Sequence, residues 1–110
     1  MRILTWNINS VRKRLKHIIL LIKKVSPDVI CLQETKVEDS SFPIKTFTNL
    51  GYFHHYLNGI ISYNGVCIIS KIKSTTSNKI NFCQKNDGRH ISQIINGIEI
   101  NNIYIPAGGE

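Results

Sequence analysis

A chain of 110 residues with 42% apolar content lies within the size range of one domain, and that composition excludes general disorder. Fourteen Lys and Arg against seven Asp and Glu leave a net charge of +7, which favours polyanionic partners such as nucleic acid or anionic lipid. Cys31, Cys67 and Cys83 are odd in number and lack metal-ligand spacing, so buried reduced thiols are expected; without a signal sequence or a long apolar span, the chain is expected to be cytoplasmic, with no membrane partner.

Residues 2–8 (RILTWNI) put Ile3, Thr5 and Asn7 on one face and Leu4, Trp6 and Ile8 on the other, which predicts a strand. Asn9 and Ser10 break it. Ser10 is the expected N-cap of a helix whose apolar side carries Val11, Leu15, Ile18, Ile19, Ile22 and Val25 and whose other side carries Arg12, Lys13, Lys16, Lys23 and Lys24. Ser26-Pro27 ends it, because the residue before proline avoids the helical region.

Val29–Gln33 (VICLQ) is too short for a helix and almost wholly apolar, as expected of a strand covered on both faces. The strand, helix, strand order implies parallel pairing through a right-handed crossover. The polar stretch after Glu34, with Pro43, predicts a surface loop containing a short helix at most. Four further strands are expected at 52–56, 66–72, 91–95 and 98–105. Asn96-Gly97 is the strongest hairpin signal, since both residues tolerate the positive φ of a type I′ turn, and Asn64-Gly65 is a second candidate. No repeat or linker marks an internal boundary, so residues 1–110 form one unit of α/β or α+β class.

Glu34 directly follows a buried strand, a place where side chains are held rigidly at the rim of a sheet. A single carboxylate there is usually structural, but with Asn7 near the end of a neighbouring strand it forms a candidate oxygen site for Mg²⁺. In Asp87-Gly88-Arg89-His90, Arg89 either forks onto a phosphate or pairs with Asp87. His90 at a strand start reads as a packed residue, and the same holds for His17, His54 and His55. Tyr104, before Pro106 and the turn-forming Gly108-Gly109, either caps the core or donates to a phosphate oxygen.

Together TWNINSVR (5–12), SPDVICLQETK (26–36), FPIKTFTNLGY (42–52), YNGVCIISK (63–71), DGRHI (87–91) and NIYIPAGGE (102–110) resemble the exonuclease III and abasic-site endonuclease family. The likeness runs through the whole chain in order and covers the amino-terminal half of such an enzyme. It implies half of a four-layered αββα sandwich, with a mixed sheet and a crossover helix. It implies that Asn7 and Glu34 bind catalytic Mg²⁺, with Mn²⁺ as a substitute, and that Tyr104 contacts the scissile phosphate. Arg89 and Asn9 are carried as candidate substrate-binding residues. The implied substrate is double-stranded DNA with abasic sites or 3′ ends, cut by metal-assisted water attack. In that family the later segments supply a water-orienting Asp and Asn, a further metal Asp, and a catalytic His with its partner Asp. None of those segments is present here, and the chain is therefore expected to be inactive alone. The alternatives are half of a split enzyme completed by a carboxy-terminal half on a second chain, and a non-catalytic nucleic-acid-binding remnant.

Overall fold

The computed structural model describes residues 1–78 and 87–107. Cys83 and the Gly108-Gly109 turn lie outside the described residues. Strand β1 (Ile3–Asn7) pairs in parallel with β2 (Val29–Gln33), as the crossover predicted, and the full order of the first sheet is β1-β2-β4-β3, with β3 (His54–Asn58) and β4 (Val66–Ser70) antiparallel to their neighbours. A second sheet, antiparallel throughout, runs β5-β6-β7 through Ser77–Asn78, His90–Ile95 and Ile98–Ile103. The two-residue β5 is too short to leave a sequence signal.

Each face of the first sheet has its own core. Ile30, Leu32, Cys67 and Ile69 point toward α1 (Leu15–Val25) and α2 (Ile44–Asn49), where they meet Ile18, Ile22 and Phe47. The alternate residues Val29, Cys31, Val66 and Ile68 point the other way, onto Ile91, Ile95 and Ile100 of the second sheet. The described layers are thus helix, sheet, sheet, which explains why β2 reads as a continuous apolar run. Among the described residues no helix is long and apolar enough to cross a membrane.

The start of α1 differs from expectation. Ser10 has φ +82°, outside the extended geometry an N-cap uses, and the backbone N–H groups of Ser10 and Val11 donate to the carbonyls of Glu34 (2.8 Å) and Thr35 (3.1 Å). The segment remains tied to the end of β2, and regular helix begins at Leu15. Asn96 and Gly97 adopt φ +52° and +73° and close the β6–β7 hairpin as predicted. Asn64 and Gly65 also take positive φ, but the β3–β4 connection is longer than two residues; their carbonyls instead accept the N–H groups of Lys36 (2.9 Å) and Thr35 (3.1 Å). A Cβ on Gly65 would meet Thr35 Oγ1 at 2.2 Å, so glycine is required for this approach.

Cys31 and Cys67 are free and buried on opposite faces of the first sheet. Burial pushes the Cys31 thiol from its ordinary 9.0 up to about 11, and raises Cys67 as well. Between pH 9 and 11 the folded chain holds this proton more tightly than the unfolded chain. The stability is therefore full below pH 9 and declines as pH rises through the folded value. Two pH units correspond to a loss of up to about 3 kcal/mol. Urea unfolding at stepped pH is expected to show that decline, and Cys31→Ala is expected to shrink it.

Candidate active site

The parallel pairing of β1 with β2 brings Asn7 opposite Gln33, so Asn7 and Glu34 leave the sheet at the same rim. The Asn7 carboxamide Nδ2 donates to Glu34 Oε2 at 2.5 Å. The backbone around this contact is unusual. Asn9, Ser10, Glu34 and Lys36 are all left-handed, at φ +48°, +82°, +54° and +56°. Non-glycine residues in this region cost about 1–3 kcal/mol each and persist where the surroundings over-determine them. Here the Ser10 N–H bond to Glu34, the Val11 bond to Thr35 and the bonds from 35 and 36 to 65 and 64 do so.

Tyr104 follows β7 and arrives from the second sheet, its backbone N–H donating to Arg89 O at 2.8 Å. It lines the same groove as Asn7 and Gln33. Desolvation first, then the Glu34 charge and a hydrogen bond to that carboxylate, raise the phenol above its ordinary value of 10. It therefore stays protonated at neutral pH and can donate. Asn7, Glu34 and Tyr104, each chosen from the sequence, are thereby brought together.

The two other candidates have different settings. Asn9 Oδ1 accepts from Lys36 Nζ at 2.6 Å, while the same ammonium stands 3.8 Å from Glu34 Oε1. Arg89 Nε donates to Asp87 Oδ2 at 2.9 Å, the ion-paired alternative for this residue. The His90 ring is buried and hydrogen-bonded to Asn101 Oδ1 at 3.0 Å, and His55 bonds to Tyr52 O at 2.7 Å, so both act as packed residues.

Two concavities flank the rim. A groove of about 460 Å³ runs between β1 and β7, with Thr5, Asn7 and Gln33 on one side and Asn101, Asn102 and Tyr104 on the other. A smaller hollow of about 220 Å³ is lined by Ser10, Arg12, Lys13, Lys36 and Ser62. Three cations and two hydroxyls around one hollow suit an anionic oxygen ligand such as a phosphodiester. Lys36, Gln33 and Asn102 were not singled out from the sequence. Lys36 lies two residues beyond Glu34, and its ammonium stands on the same side as that carboxylate.

The model of the Endonuclease/Exonuclease/phosphatase family matches residues 4–106. The chain belongs to that family. Among its relatives, exodeoxyribonuclease III of Haemophilus influenzae is 42% identical over 73 residues, covering 64% of this chain and 26% of that protein. The DNA-(apurinic or apyrimidinic site) endonuclease of Dictyostelium discoideum is 32% identical over 116 residues, covering 99% and 31% respectively. An AP endonuclease from Archaeoglobus fulgidus superposes with a TM-score of 0.88 at 37% identity, over 96% of this chain and 41% of that one. The 3′ phosphatase NExo from Neisseria, bound to a product DNA hairpin, gives a TM-score of 0.88 at 30% identity, over 94% and 41%. The family resemblance and the mixed α/β fold are thus established, and the chain spans about a quarter to two-fifths of these relatives. Among the described residues no group of three or more His, Cys, Asp or Glu is placed to hold a metal ion. A family member's cation would rest here on one carboxylate and one carboxamide.

Proposed function

We propose that this chain supplies the metal-binding half of a Mg²⁺-dependent DNA phosphodiesterase site of the exonuclease III and abasic-site endonuclease type. The observation that carries the reading is the convergence of Asn7, Glu34 and Tyr104 from three strand ends at one rim. The donor set fits the ion: Mg²⁺ prefers hard oxygens, takes one or two carboxylates and keeps several waters. Glu34 and the Asn7 carboxamide oxygen would hold it, and Mn²⁺ would substitute. When bound, the ion supplies charge neutralisation and polarisation at a phosphoryl oxygen. Tyr104, neutral and aimed at the rim, donates to a phosphate oxygen. Asn7 Nδ2 orients the carboxylate of Glu34. The Arg12, Lys13 and Lys36 hollow attracts the DNA backbone beside the site, and the net charge of +7 adds long-range attraction.

A positioned water and a general acid or base each contribute orders of magnitude in rate, and the residues gathered at this rim include no candidate for either role. Those groups would come from polypeptide beyond these 110 residues, either continuing the chain or carried on a second one. The isolated chain is therefore expected to bind Mn²⁺, seen as paramagnetic broadening of Asn7 and Glu34 signals, without cleaving abasic-site duplex DNA in Mg²⁺. Adding a polypeptide that spans the remainder of the domain is expected to restore cleavage. Turnover by the chain alone that Glu34→Ala abolishes would overturn the half-site reading, and unbroadened Asn7 and Glu34 signals would overturn the metal site. The basic hollow favours a second reading, a non-catalytic DNA-binding remnant. Salt-sensitive duplex binding with no restoration of cleavage would select it.

A further inference from the structure

The site draws its carboxylate from one sheet and its tyrosine from the other, so something must fix one sheet relative to the other along the strand direction. Most side chains between the sheets, Val29, Cys31, Val66 and Ile68 against Ile91, Ile95 and Ile100, are apolar, and apolar attraction is non-directional. It holds the sheets together but tolerates a small slide.

Buried carboxamides interrupt this interface: Asn58 of the edge strand β3 donates to His90 O of β6 at 2.7 Å, and another spans the two middle strands of the first sheet. Asn102, on β7, is 3% exposed. Its Nδ2 donates to Leu32 O at 2.9 Å and to Cys67 O at 2.8 Å, and its Oδ1 accepts from Gln33 Nε2 at 2.7 Å. Both N–H groups are engaged, and Leu32 and Cys67 are register partners across the β2–β4 ladder, so the carboxamide clasps two strands of the opposite sheet at one level. Gln33 carries the link on to Thr5 Oγ1 of β1 at 3.0 Å.

The location gives this clasp its meaning. Leu32 lies two residues before Glu34, and Asn102 lies two residues before Tyr104. Buried hydrogen bonds are directional and costly to leave unmade, so they define a distance where apolar contacts do not. We propose that Asn102 is a positioning residue that sets the Tyr104 hydroxyl over the Glu34 carboxylate by locking the second sheet to β2 and β4. Its consequence for catalysis rests on the active-site reading above; the geometric claim does not.

The test is nuclear Overhauser contact between the Tyr104 ring and the Glu34 side-chain protons in the metal-free 110-residue chain. The parent is expected to show it. Asn102→Leu fills the same space without the hydrogen bonds and is expected to lose it, whereas Ile100→Ala removes apolar packing from the same strand, leaves the carboxamide in place and is expected to keep it. Should Asn102→Leu fail to fold, Asn102→Thr retains one donor and is expected to weaken the contact well below that of Ile100→Ala. Parental contact in the folded Asn102 variant, or equal loss in Ile100→Ala, overturns the proposal. Mn²⁺ then separates the two claims. In Asn102→Leu, Asn7 and Glu34 signals are expected to broaden as in the parent while Tyr104 no longer does. Absence of Mn²⁺ broadening in the parent itself counts against the metal site and leaves the metal-free comparison standing.

Discussion

Glu34→Ala is expected to weaken Mn²⁺ and Mg²⁺ binding by at least about 100-fold, since loss of an outer hydrogen-bond partner alone commonly costs 10–100-fold. In the proposed half-site Glu34 supplies the carboxylate. Without it, a neutral carboxamide is left beside the Lys36 ammonium, 3.8 Å from where the carboxylate stood, in a chain of net charge +7. The companion substitution Glu34→Gly separates function from stability. Glu34 sits at φ +54°, a conformation costing about 1–2 kcal/mol for an L residue, and glycine removes that cost. Its extra freedom in the unfolded chain returns about 0.5–1 kcal/mol, so the unfolding free energy in urea is expected to stay level or rise by up to about 1 kcal/mol while metal affinity is lost. Calorimetric titration with Mn²⁺ beside urea unfolding checks both halves. Parental affinity in either variant would remove Glu34 from the site, and a clear fall in the stability of Glu34→Gly would mean that the left-handed backbone carries no strain.

How much of this was legible in the sequence depended on whether a side chain's place is set locally. Glu34 could be found because an apolar strand ends at Gln33, and Asn7 because the strand, helix, strand order forces β1 beside β2 with matching ends. Asn96-Gly97 could be read because a two-residue turn is a local object. The start of α1 could not, because the Ser10 N–H is tied to the Glu34 carbonyl, 24 positions away, in addition to the bonds Ser10 accepts from Lys13 and Arg14. Asn102 could not either. Nothing local separates a buried asparagine on a strand from an exposed one, and its three bonds go to residues about 35 and 70 positions distant. Asn64-Gly65 was legible in conformation but not in purpose. The positive φ values were readable, whereas their use in bracing residues 35 and 36 is a matter of tertiary contact. The family resemblance ordered these pieces but did not say which polar groups join the sheets.

Arg89→Ala is expected to destabilise the chain by about 3 kcal/mol, through the Asp87 carboxylate it would leave behind more than through the lost contact. The two side chains are 21% and 11% exposed, their hydrogen bond is 2.9 Å, and Asp87 Oδ1 is already buried without a partner among the described residues. Removing the guanidinium isolates a charge that has little access to water. The damage would not stop at the pair. The Asp87 carbonyl accepts from Asn64 Nδ2 at 2.8 Å, the Gly88 carbonyl from Gly65 N–H at 2.9 Å, and the Arg89 carbonyl from Tyr104 N–H at 2.8 Å. This short loop therefore joins the turn that braces Lys36 to the segment that carries Tyr104. The double variant Asp87→Ala/Arg89→Ala is expected to lose less than Arg89→Ala alone, because no buried charge is then orphaned. Urea unfolding of the four members of this cycle gives the coupling directly. If Arg89→Ala costs under about 0.5 kcal/mol, the scale of an exposed ion pair, then the guanidinium is not needed to hold Asp87.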